Sequence, residues 1–204
     1  MFLLIKNYIF DLGQVIVKFD TAYMTSVYFK DENEAKTVEE VIFDRLYWDK
    51  LDDGTITDEE VKDGIKSRLP EPFWERACAV YDNWHKNLPF TEGIRELIAD
   101  ISSNGGRIFL LSNVSIGFAE KYSEVDEFVK LFSKFEGLVF SGPLGIVKPS
   151  AEIFNYILDK YSLKAEETVF IDDNTRNTEG AKAVGIDAYL FDGDIARLRE
   201  YLSI

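Results

Sequence analysis

Apolar residues fall into two rhythms along the chain. Short continuous runs occur at Phe2-Leu3-Leu4-Ile5 with Tyr8-Ile9-Phe10, at Ile108-Phe109-Leu110-Leu111, at Leu138-Val139-Phe140, at Val169-Phe170-Ile171 and at Ala188-Tyr189-Leu190. Runs of this length bounded by turn residues predict buried strands. Elsewhere apolar positions recur at helical spacing. From about Asp20 to Leu88 no strand pattern interrupts: Tyr23, Val27 and Tyr28 recur together, then Val38, Val41, Ile42 and Leu46, then Val61, Ile65 and Leu69, then Phe73, Trp74, Ala77, Val80, Tyr81 and Trp84. Thr57-Asp58-Glu59-Glu60 has the form of a capping box, and Pro72 suits an early helical position. This block predicts roughly four short helices.

After Pro89 the two rhythms alternate. Thr91 is placed to cap a helix running to about Asn104, with Gly105-Gly106 as its stop. The strand at 107–111 follows and ends in Ser112-Asn113. A short helical region carries Phe118, Val125, Phe128, Val129 and Phe132. Beyond the strand at 138–140, residues 141–145 read as a loop leading to Val147-Lys148-Pro149. Ser150 to Tyr161 is a helix with Ile153, Phe154, Ile157 and Leu158 on one face. The strand at 168–171 ends in Asp172-Asp173-Asn174, and a helix to Gly185 precedes the last strand. Strands alternating with helices predict an α/β fold, a Rossmann-like parallel sheet flanked by helices. Residues 1–17 and 89–204 would form this discontinuous core, and 18–88 a helical insertion.

Length and charge narrow the function. At 204 residues the chain can make one sizeable core, or one core with a smaller satellite domain. A net charge of -14 excludes a nucleic-acid partner of the usual kind, because phosphate backbones need a basic face. A phosphate ligand would need a local device against this field: a metal, a lysine or a helix N-terminus. One cysteine, Cys78, excludes an internal disulfide and a Cys-based metal site, in keeping with a cytoplasmic protein. The apolar start is cut by Lys6 and Asn7 and ends in Asp11 without a small-residue cleavage site, so a strand is expected there rather than a leader. No stretch approaches a membrane span. The insertion is rich in aromatics, most of them expected to pack, and His85, the only histidine, is expected to be structural.

The polar residues sit at consecutive strand ends: Asp11, then Ser112, then Lys148 ahead of a helix, then Asp172 and Asp173. In an open parallel sheet these ends converge on one crevice. There, Asp11 with Asp172 or Asp173 makes an oxygen cage suited to Mg²⁺. A carboxylate so placed can attack phosphorus, while Ser112, nearby N–H groups and Lys148 hold the remaining phosphoryl oxygens. Taken singly, each of these residues is a common strand-end or turn residue; their joint order is what points to chemistry.

Four segments, Phe10-Asp11-Leu12-Gly13, Leu110-Leu111-Ser112-Asn113, Val147-Lys148-Pro149 and Phe170-Ile171-Asp172-Asp173-Asn174, resemble the four motifs of the haloacid dehalogenase-like (HAD) hydrolases. The insertion falls where that family places its helical C1 cap. The run 172–177 together with Phe-Asp-Leu-Gly is most similar to the branch containing bacterial α-D-glucose-1-phosphate phosphatase. The resemblance implies a Mg²⁺-dependent phosphatase acting on a small phosphorylated metabolite, with Asp11 as nucleophile. It implies that the Gly13 carbonyl joins Asp11, Asp172 and Asp173 around the metal. Ser112, Lys148 and Asn113 would contact substrate. One departure stands out. Most phosphatases of that family carry a second Asp two residues after the nucleophile, as the acid–base group, and this chain has Gly13 there. A sugar phosphate, specifically a hexose 1-phosphate with its good leaving oxygen, is therefore the expected substrate. The alternatives are a proton from the cap or the substrate, a weakly active protein that binds a phosphorylated ligand or a partner, and a 2-haloacid dehalogenase.

Overall fold

The structure is a computed structural model and describes residues 5–204. The apolar run Phe2 to Leu4 lies outside the described residues. Five parallel strands form one sheet: β1 (Asn7–Phe10), β2 (Arg107–Ser112), β3 (Gly137–Phe140), β4 (Thr168–Asp172) and β5 (Asp187–Leu190). Their order is β3-β2-β1-β4-β5, so β1 is central. The chain builds outward from β1 through β2 and β3, then returns to the other side for β4 and β5. The point of reversal lies between β1 and β4, where a parallel sheet opens a crevice at its carboxyl edge.

Strand side chains alternate between two cores, as the pleat requires. Tyr8, Phe10, Ile108, Leu110, Val169 and Ile171 face one layer. Ile9, Phe109, Leu111, Val139 and Phe170 face the other. The first layer is supplied by α6 (Ile94–Ser103), by α7 (Ile116–Lys121) and α8 (Asp126–Phe132), and by α12 (Ile195–Leu202). The second is supplied by α10 (Ala151–Tyr161) and α11 (Thr175–Ala183). Both faces of the sheet are thus covered, which is why its strands read as continuous apolar runs.

Between β1 and β2 lie α1 (Thr21–Ser26), α2 (Glu32–Ile42), α3 (Arg45–Asp52), α4 (Asp58–Arg68) and α5 (Trp74–Asn83), with 3₁₀ turns at Glu71–Phe73 and Trp84–Lys86. They close on a core of their own, built on Phe29, Val38, Ile42, Val61, Ile65, Ala77 and Val80. The helices number five rather than four because Asp44, like Asp20, Asp31 and Thr57, caps a new helix by accepting from first-turn N–H groups. Asp44 also redirects the chain, so Leu46 does not continue the face of Ile42 and is exposed. In α1 the buried side chains are Met24 and Thr25, and Tyr23 and Val27 point outward. The capping box at Thr57 and Glu60 forms in both directions.

Three further expectations change. Thr91 does not cap α6; its carbonyl accepts from Ile94 N–H, and Gly93 at φ 78° is the N-cap. Residues 141–145 are not an open loop, since Ser141–Leu144 form a helical turn, α9, ended by Gly145 at φ 66°. The alternation does not end at β5, because α12 follows behind an Asp194 cap.

The two crossings to the insertion run side by side. After Asp11 the backbone curls, Ile16 and Val17 N–H both donating to the Leu12 carbonyl. Gln14 takes φ 56° within this curl. Val17 then bridges Phe90, and Lys18 N–H donates to the Pro89 carbonyl at 2.7 Å. Aromatic rings fill the seam above. Phe19 contacts Phe43, Trp48 and Trp84 edge-on, and Trp84 stacks on Phe118. No helix among the described residues is long and apolar enough to cross a membrane.

Candidate active site

Parallel register decides which side chains meet. Phe10 is paired with Ile171, so the next residues, Asp11 and Asp172, are neighbours, and Asp11 N–H donates to the Ile171 carbonyl. Asp173 follows at once. Carboxylate oxygens of Asp11, Asp172 and Asp173 lie within 4.8 Å of one another. Asp172 is fully buried, Asp11 nearly so, and Asp173 is exposed, so the trio opens to solvent on one side. Three anionic hard oxygens converging in this way fit a hard divalent cation, which takes carboxylate and water oxygens.

Lys148 enters from the loop before α10. Its Nζ lies 2.8 Å from Asp11 Oδ1 and 2.7 Å from Asp172 Oδ2, with its side chain buried. Burial works against the ammonium charge, but Asp11 and Asp172 outweigh it and raise the pKa of Lys148 above its ordinary value. For Asp11 burial dominates and pushes the carboxyl up to about 7, against the pull of Lys148. Partial desolvation and the neighbouring Asp172 raise Asp173 as well. A buried ion triad of this kind is costly to desolvate and is weak evidence for stability, so a functional role is the better reason for it.

Ser112 is buried at the end of β2. Asn113 beside it clasps the Lys148 backbone: Nδ2 donates to the Lys148 carbonyl at 3.0 Å, and Oδ1 accepts from Lys148 N–H at 2.8 Å. Its side chain thereby holds the loop that carries Lys148. Gly13 lies in the curl after Asp11, bridged to Val17, and a Cβ built on it would meet nothing within 4 Å. His85 lies away from the strand ends, buried in the seam, with Nε2 unpaired and 3.6 Å from Glu124. A surface cleft of about 680 Å³ is lined by Lys62, Lys66, Trp74 and Cys78 of α4 and α5, and by none of the strand-end residues.

Two residues of this site escape sequence reasoning. Asn177, in the first turn of α11, donates through Nδ2 to both carboxylate oxygens of Asp172 at 3.1 Å, and Asn174 N–H donates to Oδ1 at 2.8 Å. Its spacing, one helical turn past the strand end, is the only signal. The second is Asp52, at the end of α3. Burial pushes its carboxyl up to about 7, while Lys148 pulls it down and Asp11 adds to the rise. Nothing in helical periodicity says that this turn of the insertion meets the core.

Comparison with known proteins gives the family and the fold. The family model of the haloacid dehalogenase-like hydrolases matches residues 5–185. The chain is 24% identical to the sesquiterpene phosphatase astK of Aspergillus oryzae, across 89% of this chain and 87% of that protein. It is 23% identical to the drimenol cyclase drtB of Aspergillus calidoustus, covering 92% of this chain but spanning only 34% of that longer protein. Among solved structures it resembles the HAD family enzyme BT-2542 of Bacteroides thetaiotaomicron, crystallised with magnesium and inorganic phosphate. The TM-score is 0.71 at 23% identity, over 95% of this chain and 98% of that one.

Proposed function

The chain belongs to the haloacid dehalogenase-like hydrolases, and from that premise we propose that it is a Mg²⁺-dependent phosphatase that hydrolyses a small phosphate monoester through an aspartyl phosphate on Asp11. The observation that carries this reading is the buried ion cluster at the sheet's reversal point, where Lys148 lies 2.8 Å from Asp11 and 2.7 Å from Asp172. Asp11, Asp172 and Asp173, with the Gly13 carbonyl, would hold the metal. A bound Mg²⁺ supplies charge that offsets repulsion between the nucleophile and an anionic ester. The remaining work falls to the chain. Lys148 and the Ser112 hydroxyl bind phosphoryl oxygens, where charge is concentrated as the phosphoryl group transfers. Asn113 holds the Lys148 backbone, and Asn177 holds Asp172. Residues 18–88 form the cap that roofs the crevice and excludes water. Phosphatase relatives, astK among them, support the reaction class.

Within that class a hexose 1-phosphate suits a chain with Gly13 beside its nucleophile, since an anomeric oxygen leaves more readily than a primary alkoxide and asks less of whichever group donates the proton. A phosphate-release screen over sugar phosphates, nucleotides and aryl phosphates, with and without Mg²⁺, tests both levels. Mg²⁺-dependent release is expected, faster from hexose 1-phosphates than from 6-phosphates of the same sugars. Equal rates on the two would remove the sugar 1-phosphate. Chloride release from 2-haloacids without Mg²⁺, and no phosphate release, would overturn the phosphatase.

A further inference from the structure

The alkoxide of an alkyl phosphate leaves slowly unless a proton reaches its oxygen, and position 13 offers no side chain to carry one. A turn of the insertion, docked beside the end of β2, carries another carboxyl. α3 ends at Asp52, and the turn from Asp52 to Gly54 is docked on the core at two points. The buried Ser141 hydroxyl donates to the Asp52 carbonyl at 2.6 Å and accepts from Val114 N–H at 2.9 Å. One hydroxyl thus ties the insertion to the segment that follows Ser112 and Asn113. Gly54, at φ 72°, abuts Gly142 so closely that a Cβ would come within 2.5 Å of the Gly142 carbonyl oxygen.

The two carboxyls of this turn are used differently. Asp53 Oδ1 caps the turn by accepting from Thr55 N–H and its hydroxyl. Among the described residues no donor is committed to the Asp52 carboxyl. Lys148 and Asp11 are the charged groups that act on it most, ahead of its sequence neighbours Asp49 and Asp53. Its carboxyl thus lies within electrostatic reach of Lys148 and Asp11. Burial keeps a proton on it near neutrality, the condition a general acid needs.

We propose that Asp52 is the general acid of this enzyme, delivered by the cap. The inference rests on the phosphatase reading. An Asp11 oxygen forms a bond to phosphorus as the ester P–O bond breaks. The electron pair of that bond goes to the leaving oxygen, which takes the Asp52 proton and departs as the alcohol. Asp52, now a carboxylate, accepts a proton from the water that attacks phosphorus. The bond between phosphorus and the Asp11 oxygen breaks, its electron pair returning to the Asp11 carboxylate, phosphate leaves, and Asp11 and protonated Asp52 are restored.

The test compares two esters of similar shape and unlike leaving group, p-nitrophenyl phosphate and benzyl phosphate, on wild type, Asp52→Asn and the double variant Gly13→Asp/Asp52→Asn. Nitrophenolate needs no proton to leave, and the benzyl alkoxide does. Asp52→Asn should lower kcat/KM for benzyl phosphate by about 10²-fold or more and for p-nitrophenyl phosphate by less than about 3-fold. The double variant, with a carboxyl placed in the open space at 13, should regain at least about 10-fold on benzyl phosphate. Equal losses on both esters, or no loss on either, would overturn Asp52 as the acid while leaving the phosphatase intact. Wild-type protein inactive on both esters and throughout the wider screen would instead overturn the phosphatase reading, and this role with it.

Discussion

The carboxylate of Asp172 shows what a single residue needs in order to serve a site. It is fully buried, yet each oxygen is engaged: Oδ1 by Asn174 N–H and Asn177, Oδ2 by Lys148 and Asn177. These bonds fix the direction in which it presents its lone pairs, and partners behind a metal ligand tune affinity about 10–100-fold. Asn177→Ala should therefore raise the Mg²⁺ concentration for half-maximal phosphate release by about that factor, with the chain still folded. An unchanged Mg²⁺ requirement would show that Asn174 and Lys148 suffice. The acids themselves were legible because strand ends can be read from apolar runs, and Asp11, Ser112 and Asp172 each close one. Asn177 was not legible, since a polar residue in a first helical turn is commonplace. Gly13 reads in the sequence as a missing acid. Structurally it is a vacant position in an unstrained backbone, which is why an Asp can be placed there.

At the scale of elements, strands were easier to read than helices, and the reason is physical. A strand buried on both faces is apolar throughout, so Ile108 to Leu111 and Val169 to Ile171 announce themselves. A helix of two turns shows few apolar positions, and its phase is ambiguous. Hence Tyr23 and Val27 suggested the wrong face of α1, and Val129 was grouped with Phe128 and Phe132 although it is exposed. α12 lies beyond the last strand that the apolar runs predict; Asp194 caps it, and it buries Leu198. Capping chemistry was the dependable helical signal. Thr57→Ala removes the hydroxyl that accepts from Glu60 N–H and donates to the Glu60 carboxylate, and should destabilise the chain by about 1 kcal/mol in urea unfolding. Gly54→Ala tests the docking of the cap turn. A methyl group would collide with the Gly142 carbonyl at a positive φ, so the turn must shift. We expect kcat/KM for an alkyl phosphate to fall about 10-fold or more, as catalytic geometry is lost with a small displacement. Unchanged kcat/KM would mean that the contact with Gly142 does not position the turn.

At the scale of the whole molecule there are three cores among the described residues. Two lie on opposite faces of the sheet and the third inside the insertion, and the aromatic cluster around Phe19, Phe43, Trp48 and Trp84 joins the insertion's core to one of the two sheet faces along one seam. His85 sits in this seam. Burial holds its pKa below the ordinary 6.5, with Lys86 adding to the fall and Glu124 opposing it. Because the folded pKa is depressed, the histidine's contribution to stability is present in full above about 6.5 and is lost as pH falls through the folded value. Between about pH 7.5 and about pH 5.5 the wild type should lose more unfolding free energy than His85→Gln. Equal losses would mean that His85 takes up its proton in the folded chain as readily as in the unfolded one. The order of the sheet explains why four distant segments make one site: β1 is central, and reversal beside it sets the ends of β1 and β4 together. The central claim is that Asp11 is the nucleophile of this arrangement. It is tested most directly by assaying Mg²⁺-dependent phosphate release from p-nitrophenyl phosphate with wild type and Asp11→Asn side by side, their folds compared by circular dichroism. The account predicts release by the wild type and none above background by an equally folded Asp11→Asn. Release by Asp11→Asn at a rate near that of the wild type would contradict it.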